Sequence, residues 1–169
     1  MEFGGAKIPF LLVGSFAVNY YQFSRATADV DVMMAEENYE RALVLLKKNS
    51  YREIVRTALF ARLKGSEPLL MDLDILFVDL KTFEGMMKES NEAKVGGAKL
   101  RVPTLNHLIA LKLHSLKNNF ENREMPDLRD IINLVQINRI DVRTESFRGL
   151  CLKYGTQEIY DKIVQGSSL

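Results

Sequence analysis

Apolar and polar positions follow two periods along the chain, a period of two interleaved with helical spacing in the first part and helical spacing alone in the last. The run Phe10-Leu11-Leu12-Val13 predicts a short buried strand, and Gly14-Ser15 marks a tight turn after it. Residues 15–22 predict a short helix and 30–34 a second strand, with Asp29 and Asp31 at its start. Over 37–48, Ala42, Leu43, Leu45 and Leu46 recur at helical spacing, and 51–55 and 58–63 predict strands joined at Arg56-Thr57. Residues 69–77 are apolar except at Asp72 and Asp74, which fits a strand buried on both faces, and 80–88 predict a helix. Gly96-Gly97 separates extended pieces at 92–95 and 99–102, and Pro103 closes the second. Beyond it the pattern is helical: 104–117 with Thr104 as N-cap, 126–136, 143–153 and 156–164, with 166–169 expected to fray.

This order predicts a mixed α+β chain, in which residues 1–102 form a mixed sheet flanked by helices and 103–169 a helical part that packs on it and helps close the cleft. With 169 residues, 47% hydrophobic and 27% charged, the chain can bury a core of its own. A formal net charge of +1 leaves no broad basic field for general nucleic-acid binding, although Lys112, Lys117, Arg123 and Arg129 can form a local basic face. The single Cys151 excludes an intrachain disulfide and a cysteine-rich zinc site. Neither a signal peptide nor a span of about 20 apolar residues is apparent, so a cytoplasmic protein with no membrane partner is expected. The chain opens only a few residues before its first strand, which suggests an abbreviated N-terminus.

Asp29 and Asp31 are two apart on an extended strand, so their carboxylates share a face. Adjacent like charges repel unless a cation neutralises them, and hard oxygen donors suit Mg²⁺. Either Asp72 or Asp74 supplies a third carboxylate; Asp74 is favoured because it lies deeper in its apolar run, where an unpaired charge is costly. Two ions held by three carboxylates can activate an attacking hydroxyl and stabilise a leaving pyrophosphate. The competing structural reading has these aspartates capping loops or pairing with Arg25 and Arg62. Arg25 and Thr27, just before the acidic strand, suit contact with phosphate or orientation of the carboxylates. Ser15 lacks a Gly-x-Ser-x-Gly elbow, which favours holding phosphate over acting as a nucleophile, and His107 and His114 have no third partner for zinc.

In the helical part Leu105, Leu108, Ile109 and Leu116 form one stripe with Lys112 in its middle. A lysine there either snorkels to water or places its ammonium against a carboxylate or phosphate. Asp127 and Asp130, three apart on the next helix, are fitting partners, although Asp127 also suits a first-turn carboxylate after Pro126.

The segments Leu12-Val13-Gly14-Ser15 and Arg25-Ala26-Thr27-Ala28-Asp29-Val30-Asp31-Val32 together resemble the signature of the nucleotidyltransferase superfamily, and Arg-x-Thr before the acidic pair is similar to the AbiEii-type toxin nucleotidyltransferases. The resemblance implies the nucleotidyltransferase fold, with Gly14 and Ser15 holding the triphosphate of an NTP and Asp29, Asp31 and Asp74 binding Mg²⁺. It further implies a nucleotide-binding group at the helical end, here Lys112, Arg123, Asp127 and Asp130. The implied reaction transfers a nucleoside monophosphate to an acceptor hydroxyl with release of pyrophosphate. Three alternatives stand beside it: a catalytically silent nucleotide-binding module, a toxin acting on tRNA and restrained by an antitoxin, and an enzyme that modifies a small molecule such as an antibiotic. The acceptor, whether tRNA, protein or small molecule, is not fixed by any residue pattern.

Overall fold

A computed structural model describes residues 8–119 and 124–167. By contacts the chain forms two units, one comprising the residues up to Ala17 with Arg25–Thr104, the other Val18–Ser24 with the residues from Leu105 onward.

The first unit holds a mixed five-stranded sheet. Its elements are β1 (Leu11–Leu12), the start of α1 (Gly14–Tyr20), β2 (Asp29–Ala35), a 3₁₀ turn at Glu36–Asn38, α2 (Tyr39–Lys48), β3 (Tyr51–Arg56), β4 (Phe60–Gly65), β5 (Asp72–Val78) and α3 (Leu80–Glu89). A separate hairpin of β6 (Asn91–Val95) and β7 (Ala98–Val102) follows. The strand order is β1-β2-β5-β4-β3, with β2 and β5 parallel and every other pair antiparallel. A parallel pair needs a long crossover, which α2, β3 and β4 supply.

Period-two patterning decides which face is the core. On β5, Leu73, Ile75 and Phe77 are buried while Asp72, Asp74, Leu76 and Val78 are half-buried; on β4, Ala61 and Leu63 are buried between exposed Phe60, Arg62 and Lys64. α2 covers the apolar face, with Tyr39 edge-on to Phe77 and Ala42, Leu43 and Leu46 buried. The acidic positions therefore fall on the opposite face.

The second unit contains α4 (Leu105–Asn118), a π-type turn at Glu124–Leu128, α5 (Arg129–Ile137), α6 (Glu145–Tyr154) and α7 (Gln157–Ser167). Its core is built from Leu108, Ile109, Leu113 and Leu116 of α4, Ile131, Leu134 and Val135 of α5, Phe147 and Cys151 of α6, and Ile159 and Ile163 of α7. No helix among the described residues is long and apolar enough to cross a membrane.

Several boundaries differ from the sequence expectation. The apolar run from residue 69 is strand only from Asp72, and Leu69 is 96% exposed, because ladder pairing with β2 begins at Asp72. β4 starts at Phe60 because the Thr57 hydroxyl accepts the Leu59 and Phe60 amides and so holds the turn. Helix does not start at Pro126 with regular α geometry; a π-type turn spans that residue, which has no N–H to give. Gly166 and Ser167 are helical, since a Cβ at Gly166 would lie 2.6 Å from Ile132 Cδ1 of α5 and the Gly166 carbonyl accepts the Gln136 amide at 3.2 Å. The fraying expected at Ser168 and Leu169 lies outside the described residues.

Candidate active site

The site begins with the short β1–β2 ladder. Leu12 pairs with Val32, and the Val13 amide donates to the Asp31 carbonyl at 2.9 Å, which brings Gly14 against Asp31. Gly14 has φ +54, in the left-handed region, and a Cβ added there would overlap the Asp31 carboxylate. Only glycine satisfies both demands. Ser15, the next residue, is buried.

The β2–β5 register then gathers the acids. Asp29 lies opposite Asp72 and Asp31 opposite Asp74, so four carboxylates share one face of the sheet. The row through Asp31 and Asp74 continues to Arg62 on β4 and Val55 on β3.

Each acid is held by different donors. Thr27 Oγ1 donates to Asp29 Oδ1 at 2.6 Å. Asp72 Oδ1 accepts the Gly65 amide at 3.2 Å. Asp74 is gripped by both arms of Arg62, Nε to Oδ1 at 2.7 Å and Nη2 to Oδ2 at 2.6 Å. This is the Arg62 pairing of the competing structural reading, and it coexists with the shared acidic face. Arg62 stays charged well beyond its ordinary range, first through its hydrogen bonds to Asp74, then through the charge of Asp74, with smaller help from Asp29 and Asp72. Arg25 is half-buried in the loop that precedes β2.

Lys112, Asp127 and Asp130 belong to the helical unit and are all buried there. Lys112 Nζ donates to Asp127 Oδ1 at 2.9 Å and to Asp130 Oδ2 at 2.6 Å, which places its ammonium against carboxylates. Two of its three ammonium donors are thus committed within that unit. Arg123 lies outside the described residues. Tyr20 is 40% exposed and stacks edge-on with Tyr21.

Sequence reading passed over Arg62 except as a competing ion-pair partner. Its meaning depends on the β4–β5 register, which no local pattern carries; the available signal was its exposed position between Ala61 and Leu63.

No protein-family model matches the sequence, and no curated protein does. Solved structures do. The lincosamide antibiotic adenylyltransferase LnuA, lincomycin-bound, superposes with TM-score 0.57 at 17% identity, covering 80% of this chain and 90% of that one. The chain has the nucleotidyltransferase fold. An antigenic nucleotidyltransferase-like protein from Paracoccidioides brasiliensis gives TM-score 0.60 at 12% identity over 99% of this chain and 87% of its own. The antibiotic-resistance factor ANT(2'')-Ia gives 0.57 at 12% identity over 98% and 83%. The fold expected from the sequence is thereby the fold observed.

The residues suit a hard divalent cation in donor type. Oxygen donors from Asp29, Asp31 and Asp74 share a face, and the Asp31 carboxylate lies against Gly14 where a Cβ would otherwise stand. Among the described residues no three such groups converge into a closed ligand cluster, and both oxygens of Asp74 are in the Arg62 fork.

Proposed function

We propose that this protein is a nucleotidyltransferase that transfers a nucleoside monophosphate from an NTP to an acceptor hydroxyl. The observation that carries the reading is the in-register placement of Asp29, Asp31, Asp72 and Asp74 on one sheet face with Gly14 against Asp31. Asp29 and Asp31 would hold Mg²⁺ with Asp74 as the third ligand. Bound there, Mg²⁺ would supply charge neutralisation for the phosphates and a lowered pKa for the attacking hydroxyl. Thr27 keeps Asp29 oriented through its 2.6 Å hydrogen bond. Gly14 and Ser15 open the path for the β and γ phosphates, and Arg25 meets phosphate charge. The acceptor oxygen bonds to the α phosphorus, the bond from that phosphorus to the bridging oxygen breaks, and pyrophosphate leaves; Asp74 assists removal of the acceptor proton. Lys112, Asp127 and Asp130 brace the helical part from which the resemblance draws further nucleotide contacts.

The test incubates the protein with Mg²⁺ and each of four α-labelled NTPs, offering tRNA, total cell protein, a lincosamide and an aminoglycoside as acceptors. An Asp29→Ala, Asp31→Ala variant runs in parallel. Label transferred only by the intact pair supports the reading and shows the acceptor class, with tRNA labelling favouring the toxin reading. Metal-dependent NTP binding without transfer would replace it with the silent binding module. Absence of both would leave the aspartates structural.

A further inference from the structure

We propose that the cleft bordered by the end of α5, the loop to α6 and the end of α7 binds an organic phosphate, held by Arg139, Arg143 and Ser167 over an apolar floor. The cavity has a volume of about 770 Å³, and every residue that lines it belongs to the helical unit. Small-molecule sites occupy roughly 300–1,000 Å³. Buried Val135 and Val142, with half-buried Ile140, supply the apolar part of the lining. The end of α5 is closed by paired hydrogen bonds: the Ile140 amide donates to the Val135 carbonyl at 2.9 Å and the Arg139 amide to the Gln136 carbonyl at 3.1 Å. In that arrangement Arg139 has φ +53, a left-handed conformation in which glycine is the usual residue. An arginine there meets backbone strain that glycine would avoid, and what it adds is a guanidinium on the cavity wall. Arg143 provides a second. Both arginines are exposed, and neither forms an ion pair among the described residues. Asp141 Oδ1 accepts the Arg143 backbone amide at 2.9 Å, and the Gln136 side-chain amide donates to the Gly166 carbonyl at 3.2 Å, so these two lining groups are engaged locally. Ser167 Oγ, in contrast, is buried without a hydrogen-bond partner among the described residues, which is costly for a hydroxyl unless an acceptor meets it. Two guanidiniums and a hydroxyl donor match the double charge and three acceptor oxygens of a phosphate monoester better than the single charge of a carboxylate. The apolar floor calls for an apolar body on that phosphate.

Titration calorimetry of the full chain tests the site with phenyl phosphate as the probe and with inorganic phosphate and benzoate for comparison. Phenyl phosphate is expected to bind about tenfold more tightly than either, because inorganic phosphate lacks the apolar body and benzoate the second charge. Arg139→Gly separates binding from stability. It removes the guanidinium and relieves the left-handed strain, so Tm by circular dichroism should rise by about 2 °C while affinity for phenyl phosphate falls about tenfold. An arginine with only a structural role would leave the affinity where it was. Arg143→Gln, a change at an exposed loop position, should show the same loss of affinity with Tm unchanged. Asp29→Ala, Asp31→Ala should bind phenyl phosphate as the wild type does, which distinguishes this site from the acidic sheet face. Four results would each overturn the proposal: no saturable binding of phenyl phosphate, unchanged affinity in either arginine variant, benzoate bound as tightly as phenyl phosphate, or binding lost in the Asp29→Ala, Asp31→Ala variant.

Discussion

Gly14 and Lys112 show how single residues tie backbone and charge together. At Gly14 a left-handed φ of +54 coincides with contact on the Asp31 carboxylate, so Gly14→Ala meets backbone strain and displaces a proposed ligand. A loss of about 1–3 kcal/mol in urea unfolding is expected from the strain, together with loss of metal-dependent nucleotide binding by calorimetry; an alanine variant that binds nucleotide normally would remove Gly14 from the site. Lys112 is clamped between Asp127 and Asp130 with all three side chains under 10% exposed. Lys112→Met would leave two carboxylates buried without their cation, and a cost of about 3–5 kcal/mol is expected by chemical denaturation. A change below about 1 kcal/mol, typical of a surface pair, would mean the triad is solvated. Both residues were legible in the sequence, Gly14 from its place after an apolar run and Lys112 as a charge inside an apolar stripe. Arg62 was legible as an ion-pair partner for the aspartates, but that its partner is Asp74, twelve residues away on another strand, depends on the β4–β5 register.

At the scale of elements, strand and helix types followed from periodicity, while their ends followed from hydrogen bonds that periodicity does not encode. β5 illustrates this: its apolar run extends to Leu69, yet the strand starts where Asp72 meets Asp29. α6 illustrates the same rule at a helix start. Residues 143–153 were expected, but the helix opens at Glu145, where Thr144 accepts the Phe147 amide as N-cap at 3.3 Å. Thr144→Ala removes that acceptor, and a cost of about 1 kcal/mol is expected, seen as a fall of about 2–4 °C in Tm for a chain of this size. No fall would mean the first turn of α6 is satisfied by solvent. α7 runs the other way, lasting through Gly166 and Ser167, where small side-chain volume allows close approach to Ile132.

For the whole molecule, buried ionisable groups set the pH range of stability. Cys151 is fully buried in the helical unit, and burial pushes its thiol from an ordinary 9.0 up to about 12. Below pH 9.0 the thiol is neutral in both folded and unfolded chains, so its contribution to stability is intact there. As pH rises from 9.0 to about 12 the unfolded thiol ionises while the native one resists, and stability falls. Cys151→Ala should therefore lose less Tm than wild type across that interval, even if its value at neutral pH is lower because of the cavity it leaves. Parallel Tm profiles for the two would show that Cys151 ionises as easily when folded. What the sequence by itself determined was local: element types, the acidic pair on one strand face, the glycine before it and the lysine within an apolar stripe, each set by the geometry of a few neighbouring residues. Tertiary structure alone decided that Asp29 and Asp31 stand opposite Asp72 and Asp74, and that Arg62 holds Asp74. Those pairings come from the order and register of strands far apart in the chain, which are set by how the sheet buries its apolar face and closes its ladders, not by any local pattern.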